Sequence, residues 1–470
     1  MLRCRIPRPR GALGVTSIGD GQAGIGGCSV AQGLSRIIAQ LGAAAVLALA
    51  AAPGAAQLRA GTARVSITPD PRAMPHRLGG YVSPVRLNND ATGVHDTCFA
   101  RALVLENGSA RAALVSLDLC FLPAAVKEAV AAHLRDTGIP PAALFLSATH
   151  THSALDPLHL HPGNTGHQTA LPRYDAKLSE WMAERIAQAV RDAAGRMVPA
   201  RAGSAQRGRV GLNRNRRGEQ LTDDELTALK VVDAQDRPVA AVVCYAAHPV
   251  YYGAEMLEVS GDWSGSLARK LEAEMPGATV LFLNGAEGDA SPDGADEGTP
   301  AERIDVYSAK LAAAARKALD AAALVPDPRL EAWTQDAEPG DPTPHPLFLL
   351  ASVALRATPD QARALVRRMM PQRIEATFVR IGDLLLMGLP GEPTAAVGLE
   401  AKRLARERGV RTPAVVALTN GWLGYLVTEA QYRAGEYEAT MSFYGPEIGA
   451  RMLDAVRRGL ERRTAGTGRP

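Results

Sequence analysis

Apolar positions change their spacing several times along this chain, and each change predicts an element. ARVSITPD, residues 63–70, alternates apolar and polar positions and predicts a short strand ending at Pro69. CFARALVLENGSARAALVSLDL, residues 98–119, predicts two strands joined by a hairpin turn at Asn107-Gly108. The period then becomes helical over 123–137, with Pro123 at the first helical position and Gly138 as the stop. LFLSAT, 144–149, follows as a buried strand, which completes a β-α-β unit. Further on, helices are expected near 176–194, 263–275, 301–320 and 393–408. Strands are expected at 239–245, 279–283 and 414–418, with two more within 375–388. This alternation predicts an α/β (α+β) fold with mixed β-sheets flanked by helices. The Pro-, Asp- and Ala-rich stretch 325–346 predicts a surface connection and the place for a subdomain joint.

Composition narrows the class. Of 470 residues, 46% are hydrophobic, 21% charged and 4% aromatic, which excludes disordered, collagen-like and multi-span membrane chains. The first 56 residues carry five of the 52 basic residues and one of the 49 acids, so the rest is close to neutral. No basic domain remains as a nucleic-acid footprint. Residues 37–52, IIAQLGAAAVLALAAA, follow Arg36 and precede PGAAQ, the order of a secretory signal, with cleavage expected after Ala56. The competing reading is a membrane anchor, and the Ala-rich, short run favours export to the periplasm or beyond. The translation start is expected near Val30 or Leu34. The expected organisation is a 1–56 leader and a single large catalytic domain over 57–470.

Cys4 and Cys28 lie in the leader, leaving Cys98, Cys120 and Cys244 in apolar surroundings. That set is too sparse and odd in number for a disulfide framework, although one bridge is open to it. The chemistry-bearing strings stand mostly at strand ends. SATHTHSALDP, 147–157, sets His150 and His152 two apart; on a continuing extended backbone both rings would face one side, either to serve one metal or to divide into a ligand and its outer partner, the alternative being a plain polar strand end. His159, His161 and His167 follow in a loop and read either as further ligands or as solvated residues. His248 closes AVVCYAAHPV, where Pro249 ends regular structure. In LFLNGAEGDASPDG, 281–294, Gly285 and Gly288 permit tight turns and Ser291 offers a hydroxyl or a turn cap. Glu392 sits in LPGEPTAAVG as a ligand or a helix-capping charge. Tyr425, Tyr432, Tyr437 and Tyr444 cluster in an otherwise aromatic-poor chain, as core packing or as the wall of a site.

In this order these strings resemble the neutral (non-lysosomal, alkaline) ceramidase family over most of residues 60–447. THTHS is intact, GEPT stands for GEFT, GDASPD for GDVSPN, YEATM for YEGAS and GYLVTEAQY for a string like SYVTTREEY. NRNR replaces NRSP. The resemblance implies one Zn²⁺ per chain held by His150, His248, Glu392 and Tyr425. It also implies active-site roles for His152, Tyr437, Ser291 and, through NRNR, Arg214. Two imidazoles, a carboxylate and a phenol suit zinc and a metal-activated water that attacks an amide. Ser291 then reads as a substrate anchor rather than a nucleophile.

The implied activity is hydrolysis of ceramide or a related N-acyl lipid to a fatty acid and an amine. The implied partners are that lipid and a transient membrane-surface contact, with no nucleic acid and no protein partner. The immunoglobulin-like C-terminal domain usual in the family is expected to be absent, and the altered strings bear on how a substrate head is held. A zinc hydrolase of another, more polar amide or ester is the alternative. A non-catalytic lipid-binding protein on the same fold is the third reading.

Overall fold

A computed structural model describes residues 57–165 and 170–464 of the chain. The leader and His167 lie outside the described residues, and with them the readings made there.

Eight strands form the first sheet: β1 (Arg59–Ser66), β2 (Phe99–Asn107), β3 (Ala110–Leu117), β4 (Leu144–Ala148), β5 (Val198–Arg207), β6 (Leu226–Asp233), β7 (Pro238–Tyr245) and β8 (Thr279–Asn284). Their order is β8-β7-β6-β5-β1-β2-β3-β4. The β8/β7 and β3/β4 pairs are parallel and the rest antiparallel. A second sheet carries β9 (Leu330–Ala337), β10 (Ile374–Ile381), β11 (Leu384–Gly388) and β12 (Thr412–Val416) in that order. The mixed-sheet α/β expectation therefore holds. Asn107-Gly108 makes the β2/β3 turn, with Gly108 at φ 58, where the missing Cβ removes the steric cost.

Helices stand at the five expected places, α1 (Ala124–His133), α2 (Ala176–Ala194), α3 (Asp262–Glu274), α4 (Pro300–Ala321) and, further on, α7 (Ala395–Glu407), while α5 (Pro346–Ala351), α6 (Pro359–Met369) and α8 (Ile448–Thr464) are additional to them. Asp175 caps α2 by accepting from the amides of Lys177 and Leu178, and Thr299 with Glu302 forms a capping box on α4. α1 is shorter than predicted at both ends. Pro123 is its cap rather than its first turn, and the chain leaves the helix at Leu134, whose carbonyl accepts from both the amide and the hydroxyl of Thr137.

The stretch 325–346 is not simply a surface connection. Its middle is β9, paired along its whole length with β10, and Trp333 stacks on Phe378 with ring centroids 5.1 Å apart. Polar composition concealed the strand because β9 is an edge, where only one neighbour and one face constrain its residues.

The first sheet curls enough to bring its two outer parallel pairs together. Ser116 on β3 donates to the Phe282 carbonyl on β8 at 2.6 Å. Asn284, at the end of β8, donates through Nδ2 to the Thr149 carbonyl at 3.1 Å and to the Ala247 carbonyl at 3.0 Å. Each bonded residue immediately precedes one of the histidines singled out above. One buried amide thus fixes the exits of β4 and β7 against each other.

Candidate metal and catalytic site

His150 does not continue an extended strand, as the two-residue spacing suggested. β4 ends at Ala148, and His150 lies at φ 73, a left-handed conformation uncommon for a residue with a Cβ. Its amide is held by the Leu119 carbonyl at 2.9 Å and its Nδ1 lies 2.6 Å from the Cys120 carbonyl. A carbonyl can only accept, so Nδ1 carries the proton and Nε2 presents a lone pair. His248 repeats the arrangement: Nδ1 lies 3.1 Å from the Ala290 carbonyl, which leaves its Nε2 bare. Burial, reinforced by the Arg216 charge, keeps His248 well below the ordinary imidazole pKa and therefore neutral.

Glu392 faces both rings from the turn between β11 and α7. Its Oε2 is 3.3 Å from His150 Nε2 and 3.7 Å from His248 Nε2, while Oε1 accepts from Trp422 Nε1 at 2.8 Å. Burial pushes this carboxyl's pKa up, but the hydrogen bonds it receives from Trp422 and Tyr425 pull the other way, and it lies below the ordinary value. The Tyr425 hydroxyl is 3.3 Å from His248 Nε2, and a two-residue parallel ladder sets Tyr425 directly beside Glu392. Gly288 lets the GDASP turn pass behind, since a Cβ there would lie 2.6 Å from the Glu392 carbonyl oxygen.

Two imidazole lone pairs, a carboxylate and a phenol oxygen thus face one another in a buried space. Glu392 Oε2 has no hydrogen-bond partner there. Such a cluster is electrostatically unfavourable without a cation. Ligand atoms around a tetrahedral ion at 2.0–2.2 Å stand roughly 3.3–3.6 Å apart, close to the 3.3 and 3.7 Å seen here. The residues fit a divalent metal with mixed nitrogen and oxygen ligands.

His152 stands beside this group, its Nε2 3.3 Å from His150 Nε2. Since the latter is a lone pair, the His152 proton sits on Nε2. Burial keeps its pKa well below the ordinary value. Gly80, at φ 91, makes room for the ring: a Cβ there would be 2.3 Å from His152 Cγ. The site opens into a cleft of about 740 Å³ whose far walls are apolar, including Leu158, Leu171, Phe348, Leu355, Met369 and Phe443. Tyr437, 55% exposed, also lines the cleft, with its ring 5.8 Å from that of Tyr425.

With this geometry in place, comparison with known proteins is specific. The family described as neutral/alkaline non-lysosomal ceramidase, N-terminal, matches residues 59–299, just over half of the chain. The chain belongs to that ceramidase family. Curated neutral ceramidases are similar over short stretches: one from Mycobacterium tuberculosis is 30% identical over 90 residues, 18% of this chain and 14% of that protein. Another, from Pseudomonas aeruginosa, is 31% identical over 80 residues, 16% of this chain and 12% of that protein. The crystal structure of neutral ceramidase from Pseudomonas aeruginosa shares the fold, with a TM-score of 0.72 at 20% identity over 87% of this chain and 75% of that one. A ceramidase complexed with C2 gives a TM-score of 0.71 at 19% identity over 87% and 76%.

Of the residues that the ceramidase resemblance singled out, six converge: His150, His152, His248, Glu392, Tyr425 and Tyr437. Arg214 and Ser291 do not line the cleft. They face each other across the short ladder between Asn213–Asn215 and Ala290–Pro292, and Arg214 is exposed. The cleft instead receives Arg216, one residue past the ladder, turned inward by a bond from its amide to the Asp289 carbonyl at 2.8 Å. The doubled arginine in NRNR was the only sequence signal for it. Trp422 and Asn284 were also missed, since nothing local marks an indole or an amide as the partner of a residue tens to hundreds of positions away.

His159 and His161 are structural. His159 Nδ1 bonds the Arg173 carbonyl at 2.9 Å and His161 Nε2 the Met369 carbonyl at 2.8 Å. Cys98, Cys120 and Cys244 are buried free thiols, with Cys120 Sγ 3.7 Å from His150 Nδ1. Tyr432 packs against His345, and Tyr444 donates to the Pro371 carbonyl.

Proposed function

We propose that this chain is a zinc-dependent amidohydrolase that cleaves ceramide or a related N-acyl lipid to a fatty acid and an amine. The observation carrying the reading is the meeting of two outward lone pairs, a carboxylate and a phenol at the base of an apolar cleft. Membership of the ceramidase family supports the lipid amide over a polar one, as do the aliphatic and aromatic walls. Export of the chain, to periplasm or medium, belongs to the same proposal and rests on its leader sequence.

His150, His248, Glu392 and Tyr425 would hold the zinc. When bound, the ion supplies Lewis acidity, polarising a carbonyl and lowering the pKa of a water. The remaining steps fall to the chain's own groups. Occupation of the His150 lone pair frees the His152 Nε2–H, which then donates to the oxygen of the scissile carbonyl as it gains charge. The Tyr437 hydroxyl at the mouth donates to the same region, and the apolar walls take the acyl chain while excluding water. Arg216 keeps a positive charge behind the Tyr425 oxygen. Such preorganised donors are each worth about 10²–10³ in turnover.

Hydrolysis of a fluorescent-acyl ceramide, with and without chelator and zinc add-back, tests the proposal. Chelator-sensitive release of fatty acid is expected. Activity confined to short, polar amides or esters would transfer the site to the alternative substrate class, and stoichiometric zinc with no turnover of any N-acyl compound would leave a lipid-binding protein.

A further inference from the structure

The exposed apolar side chains are not scattered evenly. Among the described residues the most exposed large aliphatics are Val353 (74%) and Leu350 (71%), on α5 and the 3₁₀ turn Ser352–Leu355, with Leu347 (43%) beside them. The opposite face of the same segment is buried: Phe348 and Leu355 form part of the cleft wall, and Phe348 packs edge-on against Phe443 with centroids 5.1 Å apart. The outward aliphatics therefore do not line the cleft but stand at its rim. Val82, 57% exposed, belongs to the same rim; Arg356 joins the two parts by donating to Asn88 Oδ1 at 2.9 Å. Contiguous aliphatics turned to water on a helical segment mark a surface that is covered in use.

Charge identifies the cover. Residues 345–373 hold five arginines against one aspartate, in a chain otherwise near neutral beyond its leader. Arg356, Arg363, Arg367, Arg368 and Arg373 are all exposed. Aliphatic tips flanked by arginines are the composition of helices that lie at an anionic lipid–water interface. We propose that α5, the 3₁₀ turn and α6 dock the chain on an anionic phospholipid bilayer, setting the mouth of the cleft against the lipid from which its substrate is drawn. This deepens the N-acyl lipid reading, but its test does not depend on turnover.

The experiment is cosedimentation with vesicles of phosphatidylglycerol and phosphatidylcholine, or of phosphatidylcholine alone, without ceramide and with chelator present. The parent chain is expected to bind the anionic vesicles and to release as salt rises. Leu350→Ser/Val353→Ser should weaken binding at least tenfold, from the loss of two inserted aliphatics, with its melting temperature unchanged. Arg363→Glu/Arg367→Glu should weaken binding and flatten its salt dependence. The proposal is overturned by a parent that binds neither vesicle or by variants that bind as the parent does. It is also overturned by a dimer that Leu350→Ser/Val353→Ser disperses, since a second copy would then be the cover. Loss of ceramide hydrolysis with vesicle binding intact would strike the catalytic reading alone.

Discussion

Arg216 donates from Nη2 to the Tyr425 hydroxyl at 2.9 Å, and the same guanidinium is clamped by Glu438 at 2.7 Å and the Gly288 carbonyl at 2.7 Å. Burial works against its charge, yet Tyr425 and Glu438 outweigh it and hold the pKa above the ordinary arginine value. A fixed cation behind a prospective ligand oxygen favours the electron-rich form of that oxygen. Arg216→Ala is therefore expected to lower kcat by about 10²-fold. Arg214→Ala, which alters only an exposed side chain, should stay within about threefold of the parent. Initial rates on fluorescent ceramide decide this, and equal losses for both variants would remove Arg216 from the reaction.

Metal removal should act on stability as well as on turnover. The facing lone pairs of His150 and His248 and the unpartnered Glu392 Oε2 repel one another once a cation leaves. Chelation is expected to lower the melting temperature and zinc to restore it, with a stabilisation of about 4 kcal/mol when zinc exceeds its Kd a thousandfold. Metal analysis separates the roles further. His150→Ala and Glu392→Ala should lose bound metal, whereas His152→Ala should retain it and still lose roughly 10²–10³ in kcat. A metal-free His152→Ala protein would make that histidine a ligand.

Much of this architecture was legible because period reports burial directly. The helix expected near 176–194 and the strands expected at 279–283 and within 375–388 match α2, β8, β10 and β11 to within a residue or so, since α2 carries one apolar face and β8 and β11 are buried runs along their whole length. β9 was not legible, because an edge strand such as LEAWTQDA is constrained by one partner only. The short helix α5 was hidden in a similar way, its outward aliphatics blurring the polar face that marks an amphipathic helix, whereas α6 carries an open signal in its Thr358–Gln361 capping box and its stripe of Ala362, Leu365, Val366 and Met369. Single strings named the ligand types, but their meeting depends on Asn284 and on the left-handed turn at His150, which no local spacing encodes. Arg216 was missed for the same reason: the end of a three-residue ladder, not the motif, decides which arginine turns inward.

Asn284 should prove costly to replace. Its Oδ1 accepts from the Ala247 amide at 3.2 Å while Nδ2 serves two carbonyls, all of them buried. Asn284→Ala leaves one donor and two acceptors without that partner, and an unmet buried polar group costs about 1–3 kcal/mol. A loss of roughly 2–4 kcal/mol in urea unfolding is expected on that basis. Zinc affinity should fall about 10–100-fold, as it does when outer partners of metal ligands are removed. A stability loss with unchanged zinc affinity would show that the clasp supports the sheet without positioning the two histidines.

Asp156 gives the clearest pH dependence. It caps the 3₁₀ turn Pro157–Leu160 by accepting from the Leu158 amide at 2.9 Å, and it lines the cleft. Burial raises its pKa to about 6, against the downward pull of Leu158, Arg77 and Arg86. In the unfolded chain the same carboxyl titrates near 4. Between about pH 4 and pH 6 the folded state keeps a proton that the unfolded state has released, so this group's contribution to stability falls as pH rises through that window and stays low above it. Asp156→Asn preserves an oxygen to cap Leu158 and has nothing to ionise. It should be more stable than the parent at pH 8, by about 1–2 kcal/mol once partial solvent access is allowed for, and the gap should close toward pH 4. Urea midpoints of both proteins at pH 4.5 and pH 8 check the sign; a gap independent of pH would mean that the carboxyl ionises in the cleft as freely as in water.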